Sequence, residues 1–382
     1  MKGYMNIPVA KPLFGEEEER AIIDVLRSGW VVQGPKVAEF ERLVAAYVGA
    51  RYAVATSSCT TSLHLALLLH NIGPRDEVIL PSFTFIATAN VVRYTGATPV
   101  FADIDARTGN LDPHAVAAAV TPRTKAILAV HQLGLAADMD ALVAVARQHD
   151  LVIIEDAAPA LGATYKGRRV GSLGHSTCFS FHPRKAITTA EGGMLVTDDA
   201  DIAGRGRILR AQGMSVSDLA RHLSSTVVIE EYHDVGYNYR MSDIHAAVGI
   251  QQLRRLDYIL GRRQQVAERY NEAFGDLGCV RLPFTSNDTP HTYQSYMLTV
   301  LPEAPMKRDE LMAELLAAGI QTRRGVMAIH LEPCYRREHL DLHLPATEAA
   351  TASTILLPIY AAMTDAEQEY VIKHLRRLLG GH

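Results

Sequence analysis

The amino-acid sequence predicts an α/β fold: a mostly parallel central sheet flanked by helices, with a smaller α+β domain after it. Two patterns carry this prediction. Through the first half of the 382 residues, short apolar runs alternate with segments of helical period. Several of those runs, such as "DEVILPSF" and "LVIIEDAA", are apolar almost without a break. Strands that read this way are buried on both faces, as in parallel sheets covered by helices. Past about residue 200 the alternation fades and long helical stretches take over.

Taken in order, "RYAVATSS" reads as a strand and "TTSLHLALLLHNIG" as a helix closed by Gly73. "DEVILPSF" is the next strand, "TFIATANVVRYTG" a helix stopped at Gly96, and "TPVFADID" a third strand. "TKAILAVHQLG" is a fourth strand, and Asp138 stands where an N-cap belongs before the helix "DMDALVAVARQHD". "LVIIEDAA", "STCFSFHP" and "GGMLVTDD" complete the set. "RMSDIHAAVGIQQLRRLDYILGRRQQVAERYNEAFGDLG" reads as one long helix broken near Gly261. "YQSYMLTVLP" is a strand and "KRDELMAELLAAGI" a helix of the second domain. The long helix sets the boundary: residues 1–255 form the large domain with an N-terminal segment, and residues 256–382 the smaller one.

Composition excludes several function classes. The chain is 48% apolar and 21% charged, with a formal charge of −4. That is ordinary for a globular protein and gives no footprint for nucleic acid or a membrane surface. The four cysteines, Cys59, Cys178, Cys279 and Cys334, are too dispersed for a redox dithiol or a metal pair. The start "MKGYMNIPVAKPLFGEEEER" lacks the apolar core of a signal peptide. The expected location is therefore cytoplasmic, with reduced thiols.

In a doubly covered sheet, ligands sit at the carboxyl ends of the strands. That rule selects Ser57 to Thr60, Ser82 to Phe85, Glu155–Asp156, and Ser180 to Lys185. Several known site patterns are absent: no G-x-G-x-x-G, no phosphate-binding G-x-x-x-x-G-K-[ST], no H-E-x-x-H and no G-x-S-x-G. No metal site is expected from the scattered histidines. The pairs Asp103/Asp105 and Asp198/Asp199 read as solvated turn residues.

Three features remain, and pyridoxal 5′-phosphate (PLP) needs all of them: a lysine, a carboxylate for its ring nitrogen, and an anion site. Asp156 ends a buried apolar run, where a carboxylate requires a cationic or donor partner. "TSSCTTSLHLAL" places a run of hydroxyl residues at a strand-to-helix junction. Free N–H groups there attract phosphate, although capping by Ser58 or Thr60 alone would also explain one such residue. Lys185 lies in "FSFHPRKAITTAEGG", the sole lysine between Lys166 and Lys307. Alone it reads as a surface residue. In chain order with Asp156 and the hydroxyl run, it reads as a cofactor anchor.

At these residues the chain resembles the DegT/DnrJ sugar aminotransferases, which are fold-type I PLP-dependent transferases. "SSCTTSLHLAL" is similar to that family's phosphate loop, "PSFTFIATANVV" to its ring-stacking segment and "IEDAAPALGA" to its aspartate motif. "FSFHPRKAITTAEGG" resembles its Schiff-base motif, and "GYNYRMSDIHAAVGIQQL" a segment that crosses to the partner subunit. The resemblance implies that Lys185 forms the Schiff base and Asp156 pairs with the ring nitrogen. It implies that Phe85 stacks on the ring, while Cys59, Thr60 and Ser180 hold the phosphate. Asn238 and Arg240 would serve the other subunit's site in a homodimer, and Arg240 and His330 would contact substrate. The implied reaction moves the amino group of L-glutamate to a nucleotide-linked keto-sugar. The form of the lysine motif favours a 4-keto-6-deoxyhexose. A C3 keto-sugar, an aminocyclitol precursor, or a PLP-binding regulator without turnover are the alternatives. Pro159 departs from the family's usual His or Gln, Cys59 from a Gly or Ala, and Asp243 from a frequent Asn. Arg323 and Arg324 read equally well as contacts to a diphosphate or as surface charge.

Overall fold

The computed structural model describes residues 5–216 and 218–380. The strands β1 (Tyr52–Thr56), β2 (Glu77–Pro81), β3 (Thr98–Ala102), β4 (Thr124–Val130), β5 (Val152–Asp156), β6 (Ser176–Ser180) and β7 (Gly193–Thr197) form one central sheet. Their spatial order is β1-β7-β6-β5-β4-β2-β3. Every neighbouring pair from β6 to β3 is parallel, and β7 runs antiparallel to both β6 and β1. This is the mostly parallel, helix-flanked sheet that the apolar strands predicted.

Successive residues of a strand point to opposite faces, so each strand feeds two cores. Ile127, Ala129, Ile153 and Phe179 pack on one face. Covering them are α2 (Pro35–Val48), α5 (Met139–His149) and α7 (Asp243–Arg254). Ala126, Leu128, Ile154 and Cys178 pack on the other face, beneath α3 (Cys59–Leu69), α4 (Ala87–Tyr94) and α6 (Ala200–Leu209). Asp138 caps α5 as expected, accepting a hydrogen bond from the Ala141 N–H at 3.3 Å. The helix α3 closes earlier than Gly73. Its last turn ends at His70, and Asn71 takes the left-handed conformation (φ 56°) that leads the chain out.

The smaller sheet holds β8 (Val280–Arg281), β9 (Tyr296–Val300), β10 (Arg323–Arg324) and β11 (Thr354–Leu357), all antiparallel, in the order β8-β9-β11-β10. A third core lies against it, built from Tyr270, Phe274, Tyr296, Leu298, Leu311 and Val371 among others. The N-terminal segment joins this core. Ile7 bridges Ile320, with the Ile7 N–H donating to the Gly319 carbonyl and the Gln321 N–H to the Ile7 carbonyl, both at 2.9 Å. Residue 7 thus packs with the part of the chain assigned to 256–382, although α1 (Glu16–Ser28) and α2 belong with the large sheet.

The long helix breaks at Arg255, not near Gly261. Arg255 (φ −99°, ψ 0°) separates α7 from α8 (Leu256–Phe274), and Gly261 lies within α8. The physical reason is packing. Leu253, Leu256 and Ile259 belong to the large-domain core, whereas Val266, Tyr270 and Phe274 belong to the small one. The Arg255 guanidinium ties the bend to Glu17 and Glu18 of α1.

Candidate active site

The carboxyl ends of the parallel strands open onto a cavity of about 600 Å³ between the two domains. Cys59, Thr60, Phe85, Asp156, Ser180 and Lys185 all line it. Four separate sequence stretches thus converge as the strand-end rule requires. The far wall comes from the small domain, with Met312, Arg323 and Leu356, and from the N-terminal residues Val9 and Ala10.

The expected anion site is the start of α3. Ser58 is its N-cap, and its Oγ accepts from the Thr61 N–H at 3.2 Å. Capping thus falls to Ser58 and not to Thr60. Ser58 caps, while Cys59 and Thr60 open the helix and face the cavity. The first N–H groups of a helix lack partners inside it. The returning strand presses against this loop. A Cβ on Gly193 would lie 2.4 Å from the Ser58 carbonyl carbon and 2.5 Å from the Cys59 nitrogen. Glycine is needed there because the obstacle is backbone, which cannot step aside as a side chain can.

Asp156, 5% exposed, ends β5. Its Oδ2 accepts from the Thr88 hydroxyl at 2.8 Å, and its Oδ1 from the Ala158 N–H at 3.1 Å. Neutral donors fix its direction without neutralising its charge. Lys185 follows β6 in a turn closed by its own N–H to the His182 carbonyl, 2.8 Å. Burial lowers its pKa below the usual lysine value, and the charge of Asp156 partly offsets that shift. A lysine held this way gives up its proton more readily than a surface lysine. Cys59 is the opposite case: burial and the nearby Asp156 push its thiol well above the usual range, so it packs as a neutral residue.

The second acid of the pair, Glu155, faces away. It is fully buried and accepts from Thr177 Oγ1 (2.7 Å), Gly174 N–H (2.6 Å) and His131 Nε2 (2.8 Å). The His131 Nδ1 accepts from the Ala137 N–H at 3.0 Å, which places the ring proton on Nε2. This network braces β4 against β5 and has no opening to the cavity.

Three expected site residues lie off the cavity of their own chain. Tyr239 Oη bonds His64 Nδ1 at 2.8 Å, and its carbonyl accepts from the Ser57 N–H at 2.8 Å. This pins the segment beside the start of α3, with Tyr237 stacked on Tyr239. Asn238, between them, is exposed, and Arg240 is half-buried. His330 is fully buried and bonds Ser82 Oγ at 2.7 Å through Nδ1. Its other nitrogen meets Glu348 at 3.4 Å. With the Ile329 N–H donating to the Ser82 carbonyl at 2.9 Å, it latches β2 to the small domain rather than reaching into the cavity.

The acidic pairs are also more than solvated turns. Asp103 accepts from the Ala346 and Thr347 N–H groups (3.0 and 2.9 Å) and so caps α9 (Pro345–Ser353). Asp199 caps α6, Asp198 accepts from the Arg51 N–H at 2.8 Å, and Asp105 closes a turn on Arg107 and Thr108. Asp243 is buried and accepts from the Gly34, Lys36 and Val37 N–H groups at 2.8 to 3.0 Å, capping α2 from across the fold. Sequence reasoning missed Thr88, which orients Asp156, and Gln294, whose Nε2 holds the Arg184 carbonyl at 2.8 Å. Thr88 stood in a quoted motif. Gln294 had no local signal at all.

Comparison with known proteins agrees with this geometry. Residues 12–376 match the family model of the DegT/DnrJ/EryC1/StrS aminotransferases. The spore coat polysaccharide biosynthesis protein SpsC of Bacillus subtilis is 42% identical over 379 residues, covering 98% of this chain and 97% of that protein. The GDP-perosamine synthase of Caulobacter vibrioides is 41% identical over 381 residues, 99% of this chain and 100% of that protein. The solved PLP form of the putative sugar aminotransferase Spr1654 from Streptococcus pneumoniae superposes with a TM-score of 0.91 at 30% identity, covering 98% of this chain and 99% of that one.

Proposed function

The chain belongs to the DegT/DnrJ/EryC1/StrS aminotransferase family, and we propose that it transfers the amino group of L-glutamate to the keto carbon of a nucleotide-linked sugar, using PLP. One observation carries the reading: Lys185, Asp156 and the start of α3 line a single cavity. The residues fit the cofactor. The first N–H groups of α3 and the Ser180 hydroxyl suit a phosphate, and Gly193 leaves the loop room to close on it. Asp156 suits a protonated ring nitrogen, and the exposed face of Phe85 suits stacking.

When bound, PLP supplies an electron sink for the electrons left when a proton departs from the substrate's Cα. Lys185 Nζ is the base that takes that proton and the acid that returns it. Burial favours its neutral form, which a base needs. Asp156 keeps a negative charge beneath the site, and the two domain walls limit access of water.

The preferred acceptor is a 4-keto-6-deoxyhexose, supported by the "SFHPRK" and "TTAEGG" sequences of the lysine loop. A relative named GDP-perosamine synthase supports a nucleotide-linked substrate. The proposed active unit is a homodimer, in which the exposed Asn238 and the half-buried Arg240 complete the partner's site. Replacing Lys185 by Ala tests the core of this reading. The variant should fold and bind PLP without covalent attachment, and lose the absorption of the lysine-bound cofactor. Transamination should fall by at least about a thousandfold. Wild-type turnover in that variant would eliminate Lys185 as anchor and base. A panel of 3-keto, 4-keto and cyclitol acceptors separates the substrate alternatives.

A further inference from the structure

Two arginines face the same cavity from opposite walls. Arg184 immediately precedes Lys185 on the large domain, and Arg323 comes from β10 of the small one. Among the described residues, neither guanidinium has an ion-pair or hydrogen-bond partner. The neighbouring Arg324 differs, since its Nη2 meets Glu332 at 2.8 Å. Neither cavity carboxylate pairs with them. Asp156 is held by Thr88 and Ala158, and among the described residues no hydrogen bond or ion pair joins Glu191 to either guanidinium. Burial and the Arg323 charge together lower the pKa of Arg184, so the two guanidiniums lie within electrostatic reach. Arginine stays protonated even so.

We propose that Arg184 and Arg323 form a two-sided clamp for the diphosphate of the nucleotide-linked substrate. Like charges held over one cavity repel, and a dianion between them turns that repulsion into two sets of charge-assisted hydrogen bonds. A diphosphate offers both guanidinium forks oxygens on one linked group. The two carboxylates of glutamate are the competing occupant, and the separate half-reactions distinguish them. The clamp also joins the domains, because its halves lie on the lysine loop and on the small sheet. Arg324, tied to Glu332, has no part in it.

This inference rests on the keto-sugar reading, and the experiment separates the two. Arg184→Gln and Arg323→Gln are prepared as PLP-loaded proteins. The glutamate half-reaction is followed by absorbance and the sugar half-reaction by product formation. Each variant should raise KM for the nucleotide-linked keto-sugar about tenfold or more, as loss of a charge-assisted contact implies. The glutamate half-reaction should stay within about threefold. Inorganic pyrophosphate should compete with the sugar nucleotide in the wild type and lose potency in both variants. Unchanged KM with unchanged pyrophosphate inhibition overturns the clamp, and so does a defect confined to glutamate. If no nucleotide-linked keto-sugar turns over, the substrate reading fails. Calorimetric binding of pyrophosphate then still tests the clamp, and equal affinity in wild type and both variants overturns it.

Discussion

At the scale of single residues, the proposed site depends on one desolvated amine and one buried carboxylate. Lys185 is pushed toward its neutral form by burial, and Asp156 opposes that push. Asp156→Asn keeps the shape and the Thr88 contact but removes the charge. The Lys185 pKa should then fall further, because the main charge opposing the desolvation is gone. The acid limb of the glutamate half-reaction, which reports protonation of the amine, should move to lower pH. Its maximal rate should nonetheless drop by roughly 10²–10³, as expected when a charge that stabilises the reacting state is lost. A pH–rate profile of the half-reaction checks both parts, and an acid limb moving upward would contradict the assignment. Both residues were legible in the sequence, because an acid ending an apolar strand and a lysine ending another obey the strand-end rule. Thr88 was not, since its meaning depends on the rotation of α4 over β5. His330 shows the same limit: its sequence neighbourhood does not tell which side of the wall its ring faces.

Whole elements were legible where burial on both faces imposes a continuous apolar run. The seven strands of the central sheet follow those runs to within a few residues. The break between α7 and α8 was not legible. It falls at Arg255 because two cores pull the helix apart, and neither proline nor glycine marks the spot. Glycine in β7 carries more meaning than glycine in α8. At Gly261 an added Cβ would meet nothing within 4 Å, whereas at Gly193 it would strike the Ser58–Cys59 backbone that opens α3. Gly193→Ala should therefore cost about 1–3 kcal/mol of stability, the range for forced overpacking. It should also weaken PLP binding, because the first turn of α3 must shift to admit the methyl group. Thermal unfolding of the apo protein and a PLP titration measure the two effects. Wild-type values in both would show that the β7–α3 contact does not shape the anion site.

For the whole molecule, parts far apart in sequence are joined by contacts around the cavity. Ile7 pairs with Ile320, Ser82 latches to His330, and Gln294 holds the lysine loop. Contacts of such sequence separation leave no local pattern, which is why residues 1–255 and 256–382 looked separable at the boundary helix. One further long-range relation reaches beyond the single chain. Tyr237 and Tyr239 pin their segment beside the start of α3, so Asn238 between them projects outward. If it serves a partner's cofactor, two inactive chains should repair each other. Asn238→Asp places a negative charge where a phosphate is expected, and Lys185→Ala removes the base. Each homodimer should be nearly inactive. In a hybrid dimer, isolated with two different tags, one site carries both lesions and the other carries neither. Its activity should be about half that of the wild-type dimer, as two-fold symmetry requires. Sites built entirely within one chain would instead give the hybrid only the mean of its two parents. The tagged hybrid thus distinguishes a shared site from a merely adjacent one, whatever sugar the enzyme takes.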